Sequence, residues 1–240
     1  MDVARSEVPE AGIPLACRSC QARRGVVCGA LSSGQLKELG RHSLRRRMEA
    51  GCEIIAQGSQ SSFYSNIMRG VVKLCKVMPD GRQQIVGLQF APDFVGRPFV
   101  RESTLSAEAA TDAEICLFPR NLLDRMISDT PELQRSLHDQ ALRELDAARE
   151  WMLTLGRRTA EEKVASLLHL IATHAEPQTP CSTAFDLPLS RAEIADFLGL
   201  TIETVSRQMT KLRKKGVIRI ENFRHIVVPD MDELERMISG

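Results

Sequence analysis

The sequence predicts an α+β protein: an N-terminal antiparallel β-roll, one long dimerisation helix and a C-terminal winged helix-turn-helix. Three observations predict it. Between about residues 51 and 119, short β-type segments alternate with glycines and turn signals. From about Pro131 to Leu155, apolar residues recur at alternating spacings of three and four. Residues 190–216, SRAEIADFLGLTIETVSRQMTKLRKKG, carry two capped helical patterns joined at a glycine. The implied domains are a cysteine-rich arm (1–30), the roll (31–130), the long helix (131–156) and the helix-turn-helix domain (157–240).

A chain of 240 residues with 43% hydrophobic content is ordinary for two modest globular domains. One Trp and one Tyr make a stacking platform for single-stranded nucleic acid a poor reading. No apolar run approaches the roughly 20 residues of a membrane helix, and the N-terminus, MDVARSEVPEAGIPLAC, lacks the apolar core of a secretory signal. The expectation is a cytoplasmic protein with no membrane partner. In that compartment seven cysteines read as metal ligands, redox groups or buried thiols rather than as a disulfide framework.

Taken in order, residues 1–30 lack periodicity and are rich in Arg, Gly and Cys, which suggests an irregular lid or arm. A short helix is expected from Ser32 to about Leu39, with charged flanks. Strands are expected at Cys52–Ala56, Ile67–Val77, Gln84–Phe90 and Ala113–Phe118. Pro79-Asp80-Gly81 supplies a hairpin turn between two of them. In the long helix, Ala141, Leu145, Ala148, Met152 and Leu155 form a stripe narrower than a helix needs on a globular core. Such a seam predicts a homodimer, with Gly156 at its end. Thr159 and Glu162 form a capping box that opens a helix through about His174, and 176–182, with two prolines, reads as a loop. After the helix-turn-helix, Val217–Ile220 and Ile226–Val228 read as a wing hairpin, and Met231–Met237 as a short amphipathic helix.

Residues 190–216 carry the chemistry of reading bases. Ser190 and Glu193 form a second capping box, Gly199 stops the first helix, and Thr201 can cap the next. Glu203, Ser206 and Arg207 stand at i, i+3 and i+4 and so share one helix face. Arg can donate twice to guanine O6 and N7, Glu can accept from cytosine N4, and Ser can serve either way. Thr201, Lys211, Arg213, Lys214 and Lys215 suit phosphates. Residues 201–225 hold seven Lys/Arg against two Asp/Glu, a net +5, in a chain whose total is only +1. Double-stranded DNA is the partner that this concentration of charge implies.

Roll, long helix and winged helix-turn-helix, in that order, resemble the CRP/FNR superfamily of bacterial transcription regulators from about residue 17 onward. The most specific stretch is Leu198-Gly-Leu-Thr-Ile-Glu-Thr-Val-Ser-Arg207, whose E-x-x-S-R pattern is similar to the FNR and FixK branch. The resemblance implies TTGAT-like half-sites in an inverted repeat, with Glu203, Ser206 and Arg207 as base readers. It also places Asp80, Gly81 and Arg82 near a family loop that touches RNA polymerase, and implies an activator of genes for anaerobic or microaerobic respiration or nitrogen fixation. In members that bind cyclic AMP, a Gly-Glu pair holds the ribose and an Arg-Ser pair holds the cyclic phosphate. Here Gly96-Arg97 and Leu105-Ser106 stand in their places, so no cyclic AMP is expected.

Cys17, Cys20 and Cys28 are spaced C-x2-C-x7-C, and Cys116 ends the last strand of the roll. This set resembles the FnrN-like members, in which three N-terminal cysteines and a central one hold a [4Fe–4S] cluster. Arg18, Arg23 and Arg24 lie among them and would offset the negative charge of such a centre. Spacing alone leaves zinc on the same four sulfurs, or thiols with no cofactor, as alternatives. Without a cluster the chain would be a FixK-like regulator with structural or redox-sensitive cysteines. A thiol redox enzyme built on Cys17 and Cys20 lacks the expected βαβ surroundings and any paired acid and base, so no enzymatic activity is expected.

Overall fold

The computed structural model describes residues 15–18, 20–175, 177–179 and 182–239. Residues 1–14 and Cys181 lie outside them. The chain divides into two compact units. One comprises the described part of Met1–Pro79 with Leu88–Glu144, and the other Asp80–Gly87 with Leu145–Gly240. Helix α4 therefore contributes to both.

The first unit opens with a short helix α1 (Leu15–Arg18), two 3-10 turns (Gln21–Arg24, Cys28–Ala30) and α2 (Ser33–His42). Ser32 caps α2 in a capping box with Gln35, and the helix runs three residues past the expected Leu39. The segment after it, expected as charged flank, is strand β1 (Leu44–Met48). Its Arg-rich sequence hides it, because four of its five side chains are solvent-exposed.

Strands β2 (Glu53–Ile55), β3 (Phe63–Arg69), β4 (Val71–Val77), β5 (Gln83–Phe90), β6 (Phe94–Val95), β7 (Ser106–Ala109) and β8 (Ala113–Pro119) follow. They form two antiparallel four-stranded sheets, in the orders β1-β8-β3-β6 and β2-β7-β4-β5. The single strand expected over 67–77 is broken at Gly70, whose φ of +90° turns the chain. A Cβ there would stand 2.5 Å from the Asp112 carbonyl oxygen, so only glycine fits the corner. Strands β6 and β7 were not expected, since four residues or fewer give no readable alternation.

Ile67 and Val95 of one sheet pack with Val72 and Ala107 of the other, which closes the roll on itself. A second core joins the arm to the roll and its helices. Val27, Leu31, Leu36 and Leu39 pack there with Tyr64, Phe94 and Phe118, and with Leu123, Met126 and Ile127 of α3 (Arg120–Asp129). Val27 is completely buried. The end of the arm is thus part of the core rather than a loose lid; its irregular backbone conceals this from a periodicity argument.

Pro131 begins α4 (Pro131–Arg157), its fixed φ suiting the first helical position. The helix continues through Gly156, so glycine does not stop it at the expected place.

In the second unit, Thr159 caps α5 (Ala160–Thr173) in a capping box with Glu162. The expected loop over 176–182 instead holds β9 (Pro177–Thr179) and the start of β10 (Ser182–Asp186). Ser190 and Glu193 cap α6 (Arg191–Leu198), which ends at Gly199 in the left-handed conformation, φ +62°. Thr201 caps α7 (Ile202–Lys214) by accepting from the Thr204 amide. Strands β11 (Arg219–Glu221) and β12 (His225–Val228) form the wing, and with β10 and β9 they complete a sheet in the order β11-β12-β10-β9. Helix α8 (Met231–Ser239) closes the chain. No helix among the described residues is long and apolar enough to cross a membrane.

Candidate functional sites: a thiol pocket and a basic recognition helix

Two sites emerge, one in each unit. In the first, strand register builds the floor of a pocket. Cys116 of β8 lies opposite Arg45 of β1 and opposite Asn66 of β3. Directly opposed residues point to the same face of a sheet, so a cation, a thiol and an amide stand in one row. The arm covers that row, and Cys17, Cys20, Cys28 and Cys116 all line the resulting pocket with Arg23, Arg45, Ser43 and Asn66. The structure thus brings together all four cysteines singled out in the sequence. Ser136 Oγ of α4 donates to the Val26 carbonyl at 2.9 Å, fixing the arm two residues before Cys28.

Burial pushes the Cys28 thiol up to about 12, helped by the neighbouring sulfurs of Cys116, Cys20 and Cys17. Burial likewise raises Cys116 to about 11, against a hydrogen bond from Ser43 and the charge of Arg45, with Cys17 and Cys20 pushing it further up. Cys17 is also raised, by burial first and then by Cys20, while Arg45 and Arg23 oppose the shift. Cys17, Cys28 and Cys116 therefore each sense the charge of neighbouring sulfurs. A metal centre among them would displace the thiol protons and take thiolates.

The donor set fits a polynuclear cluster. There are four soft sulfurs, apolar walls from Leu36, Leu39 and Phe118, and two arginines beside them. No three His, Cys, Asp or Glu among the described residues are gathered as a single metal ion needs them. A lone tetrahedral zinc would want its sulfurs about 3.8 Å apart, given a Zn–S distance of ~2.3 Å. Of the arginines expected among the ligands, Arg23 lines the pocket and Arg18 is exposed, while the side chain of Arg24 lies outside the described atoms. Cys52 is exposed and Cys75 buried, and neither lines the pocket. Sequence reasoning missed Arg45, Asn66 and Ser43. The pairing of β1, β3 and β8 brings Arg45 and Asn66 to Cys116, and Ser43, just before β1, lines the same pocket.

The second site is α7. Val205, Met209 and Leu212 are buried and fix the helix to its domain. Glu203, Ser206 and Arg207 are all exposed, as are Arg213 and Lys214. Arg207 Nη2 donates to Thr204 Oγ1 at 3.4 Å, a weak tether that leaves the guanidinium at the surface. The backbone amide at the start of the helix and the Thr201 hydroxyl hold the Glu203 carboxyl below its usual value, so it stays ionised as an acceptor. Lys211 and Lys215, expected on phosphates, are both engaged inside the domain by Glu161 of α5, at 2.6 Å each. Burial alone would raise Glu161, but hydrogen bonds and charge from the two lysines outweigh it and hold the carboxyl low.

The remaining expected residues fall at the surface. Ala141, Leu145, Ala148, Met152 and Leu155 are all exposed on α4, Met152 at 73%, and Leu142 and Leu153 add to the apolar surface of the same helix. Asp80, Gly81 and Arg82 form the turn between β4 and β5. There Asp80 Oδ2 accepts from Arg82 Nε at 2.7 Å and Oδ1 from the Arg82 amide at 3.0 Å. In the roll, Arg97 is exposed and donates to Thr104 Oγ1 at 3.0 Å, and Leu105 is half-buried. Lys73 instead pairs with Glu108 across β4 and β7 at 2.7 Å.

Comparison with known proteins matches a cyclic nucleotide-binding domain to residues 45–130 and a Crp-like helix-turn-helix domain to residues 162–237. A probable transcriptional activator of Rhizobium leguminosarum bv. viciae is 90% identical over 240 residues, covering 100% of both chains. The transcriptional activator protein FnrL of Cereibacter sphaeroides is 42% identical over 91% of this chain and 90% of its own length. Among solved structures, FixK2 from Bradyrhizobium japonicum superposes with a TM-score of 0.74 at 29% identity, over 82% of this chain and 98% of that one.

Proposed function

The chain belongs to the CRP/FNR family of transcription regulators, and from that premise we propose that it is an oxygen-responsive activator of anaerobic or microaerobic genes, controlled by a [4Fe–4S] cluster. In this reading it acts in the cytoplasm as a homodimer on TTGAT-like inverted repeats, and it is not an enzyme. The observation that carries the oxygen response is the convergence of Cys17, Cys20, Cys28 and Cys116 on one pocket.

When bound, the cluster supplies a redox-labile cross-link among those four sulfurs. Cys17, Cys20 and Cys28 then tie the arm to β8 through Cys116, while Ser136 ties the arm to α4. Arg23 and Arg45 offset the negative charge gathered in the pocket. On loss of the four-point tie, the arm keeps only its packing and its hydrogen bond to α4. The apolar stripe on α4 pairs with that of a second copy and sets two α7 helices about one DNA turn apart. Because each half-site alone binds poorly, a modest shift in dimerisation gives a large change in occupancy. Glu203, Ser206 and Arg207 read bases, and Thr201, Arg213 and Lys214 meet phosphates, joined by Lys211 and Lys215 where Glu161 releases them. Asp80, Gly81 and Arg82 touch RNA polymerase. Cyclic AMP has no place in this reading, since Arg97 offers its ribose no carboxylate and Leu105 offers its phosphate no cation.

The test is iron and acid-labile sulfide on protein purified without oxygen, with TTGAT-site binding measured before and after air. About four of each per chain, and binding lost in air, is the expected result. Zinc, or no metal, with unchanged binding would leave a FixK-like regulator without a cluster.

A further inference from the structure

We propose that Asn66 is a positioning residue for the sulfur centre: its buried side-chain amide donates to the Cys28 sulfur and makes the bound centre easier to reduce and harder to oxidise. This rests on the cluster reading above.

Asn66 sits in the interior of β3 and is 1% exposed. Asparagine is poorly suited to a strand interior, and a buried amide is costly unless its polar atoms find partners. Here Nδ2 lies 3.9 Å from Cys28 Sγ, within reach of an N–H···S hydrogen bond. Its Oδ1 is buried with no hydrogen-bond partner among the described residues. An apolar side chain of similar volume would avoid that cost, so the position is poor for packing and specific for donating to sulfur. Register explains the aim of the side chain. Asn66 lies opposite Cys116, and Cys116 opposite Arg45, so the amide shares its sheet face with a second thiol and a cation directly beneath the arm.

The consequence follows from charge. A hydrogen bond to a thiolate sulfur draws electron density from it and favours the more reduced, more negative state of whatever that sulfur ligates. At a buried position the effect is not diluted by water. A hydrogen bond of ordinary net strength shifts the oxidised-to-reduced ratio at a fixed potential by about five-fold.

The experiment is a mediated redox titration of protein loaded without oxygen, followed spectroscopically, after assay of iron and labile sulfide. Wild type is compared with Asn66→Leu and Asn66→Val, which lack the donor, and with Asn66→Gln, which keeps an amide on a longer stem. Two donor-less variants guard against a folding failure in either, which thermal unfolding would reveal. The expected result is a lower potential in Leu and Val, corresponding to about a five-fold ratio, and a partial return in Gln. Loaded, folded donor-less variants that titrate at the wild-type potential would overturn the role of Asn66 and leave the cluster reading intact. Wild type that takes up no iron or sulfide would overturn both.

Discussion

Glu161 Oε2 accepts a hydrogen bond from Lys211 Nζ at 2.6 Å, and the same carboxylate reaches Lys215 through its other oxygen. An acid on α5 thus engages two of the cations on the recognition helix and offsets one of their two charges. Glu161 is only 16% exposed, whereas the lysines are 53% and 41% exposed, so the pair lies at a water boundary where it adds little stability. Its larger effect is on charge available to DNA. Glu161→Gln is expected to strengthen binding to any duplex, and to steepen the slope of log affinity against log salt by about one to two. Titrations at several salt concentrations check this. An unchanged slope would mean that neither lysine reaches phosphate even when released.

The same pair predicts a pH effect. The Glu161 carboxyl is held below its unfolded value, so its contribution is present above that value and is lost as pH falls through the lowered one. Urea stability of wild type minus Glu161→Gln is therefore expected to be constant near neutrality and to shrink toward zero as pH falls through and below the usual glutamate range. A difference that grows on acidification would contradict the assigned ion pairs.

Elsewhere on the same helix, Arg207 and Lys214 have distinct expected signatures. Arg207→Ala is expected to cost about 1–3 kcal/mol on the cognate site and to relax preference at one base position. Lys214→Ala is expected to weaken all sequences alike and to lower the salt slope by about one. Competition binding with half-sites changed one base at a time separates the two. Equal losses for Arg207→Ala on every sequence would move that residue from base reading to phosphate contact.

Much of the second unit is legible in sequence because its signals are local. Ser190 with Glu193, Thr159 with Glu162, Gly199 and Thr201 each act within four residues. The first unit depends on partners far away in the chain. Strand β1 is Leu-Arg-Arg-Arg-Met, which no alternation marks as a strand, and only its pairing with β8 makes it one. The thiol pocket divides in the same way. Its four cysteines stand out by type and spacing, but Asn66 and Arg45 become neighbours of Cys116 only through strand register. Lys211 and Lys215 look like free cations in sequence, since Glu161 lies some fifty residues before Lys211.

The α4 stripe makes a prediction about assembly. Leu145 is 46% exposed and Met152 73% exposed, an arrangement that favours burial against a second copy. Burying one such side chain fully is worth about 1.5–3 kcal/mol, and a two-fold interface doubles the effect of one substitution. Met152→Glu is therefore expected to raise the dimer dissociation constant by at least ~100-fold, read by sedimentation over a concentration series. The acidic neighbours are already balanced: Asp146 pairs with Arg149 at 3.1 Å and Glu150 with Arg158 at 2.7 Å. With Ala148 in the seam itself, exposure to air is expected to shift dimerisation of wild type far less than Met152→Glu does. Dissociation in air to the extent seen for Met152→Glu would show that some other repulsion opposes the seam.

Cysteine replacements divide the thiols by place rather than by chemistry. Cys28 and Cys116 both border the core formed by Val27, Phe118 and Leu123, whereas Cys52 is exposed and away from the pocket. Cys28→Ser leaves a hydroxyl that holds its proton far more tightly than a thiol and ligates soft metals poorly. It is expected to abolish retention of iron and labile sulfide, and with it any dependence of DNA binding on air. Cys116→Ser should behave alike even though it lies on a different element, because the pocket needs both its arm and its floor. Cys52→Ser should change neither iron content nor the air response. The three proteins should unfold within a few degrees of one another when metal-free, since serine replaces each thiol at nearly equal volume. If Cys116→Ser kept its full iron and sulfide, the centre would rest on the arm alone, and the row of Arg45, Cys116 and Asn66 would have to be read as packing.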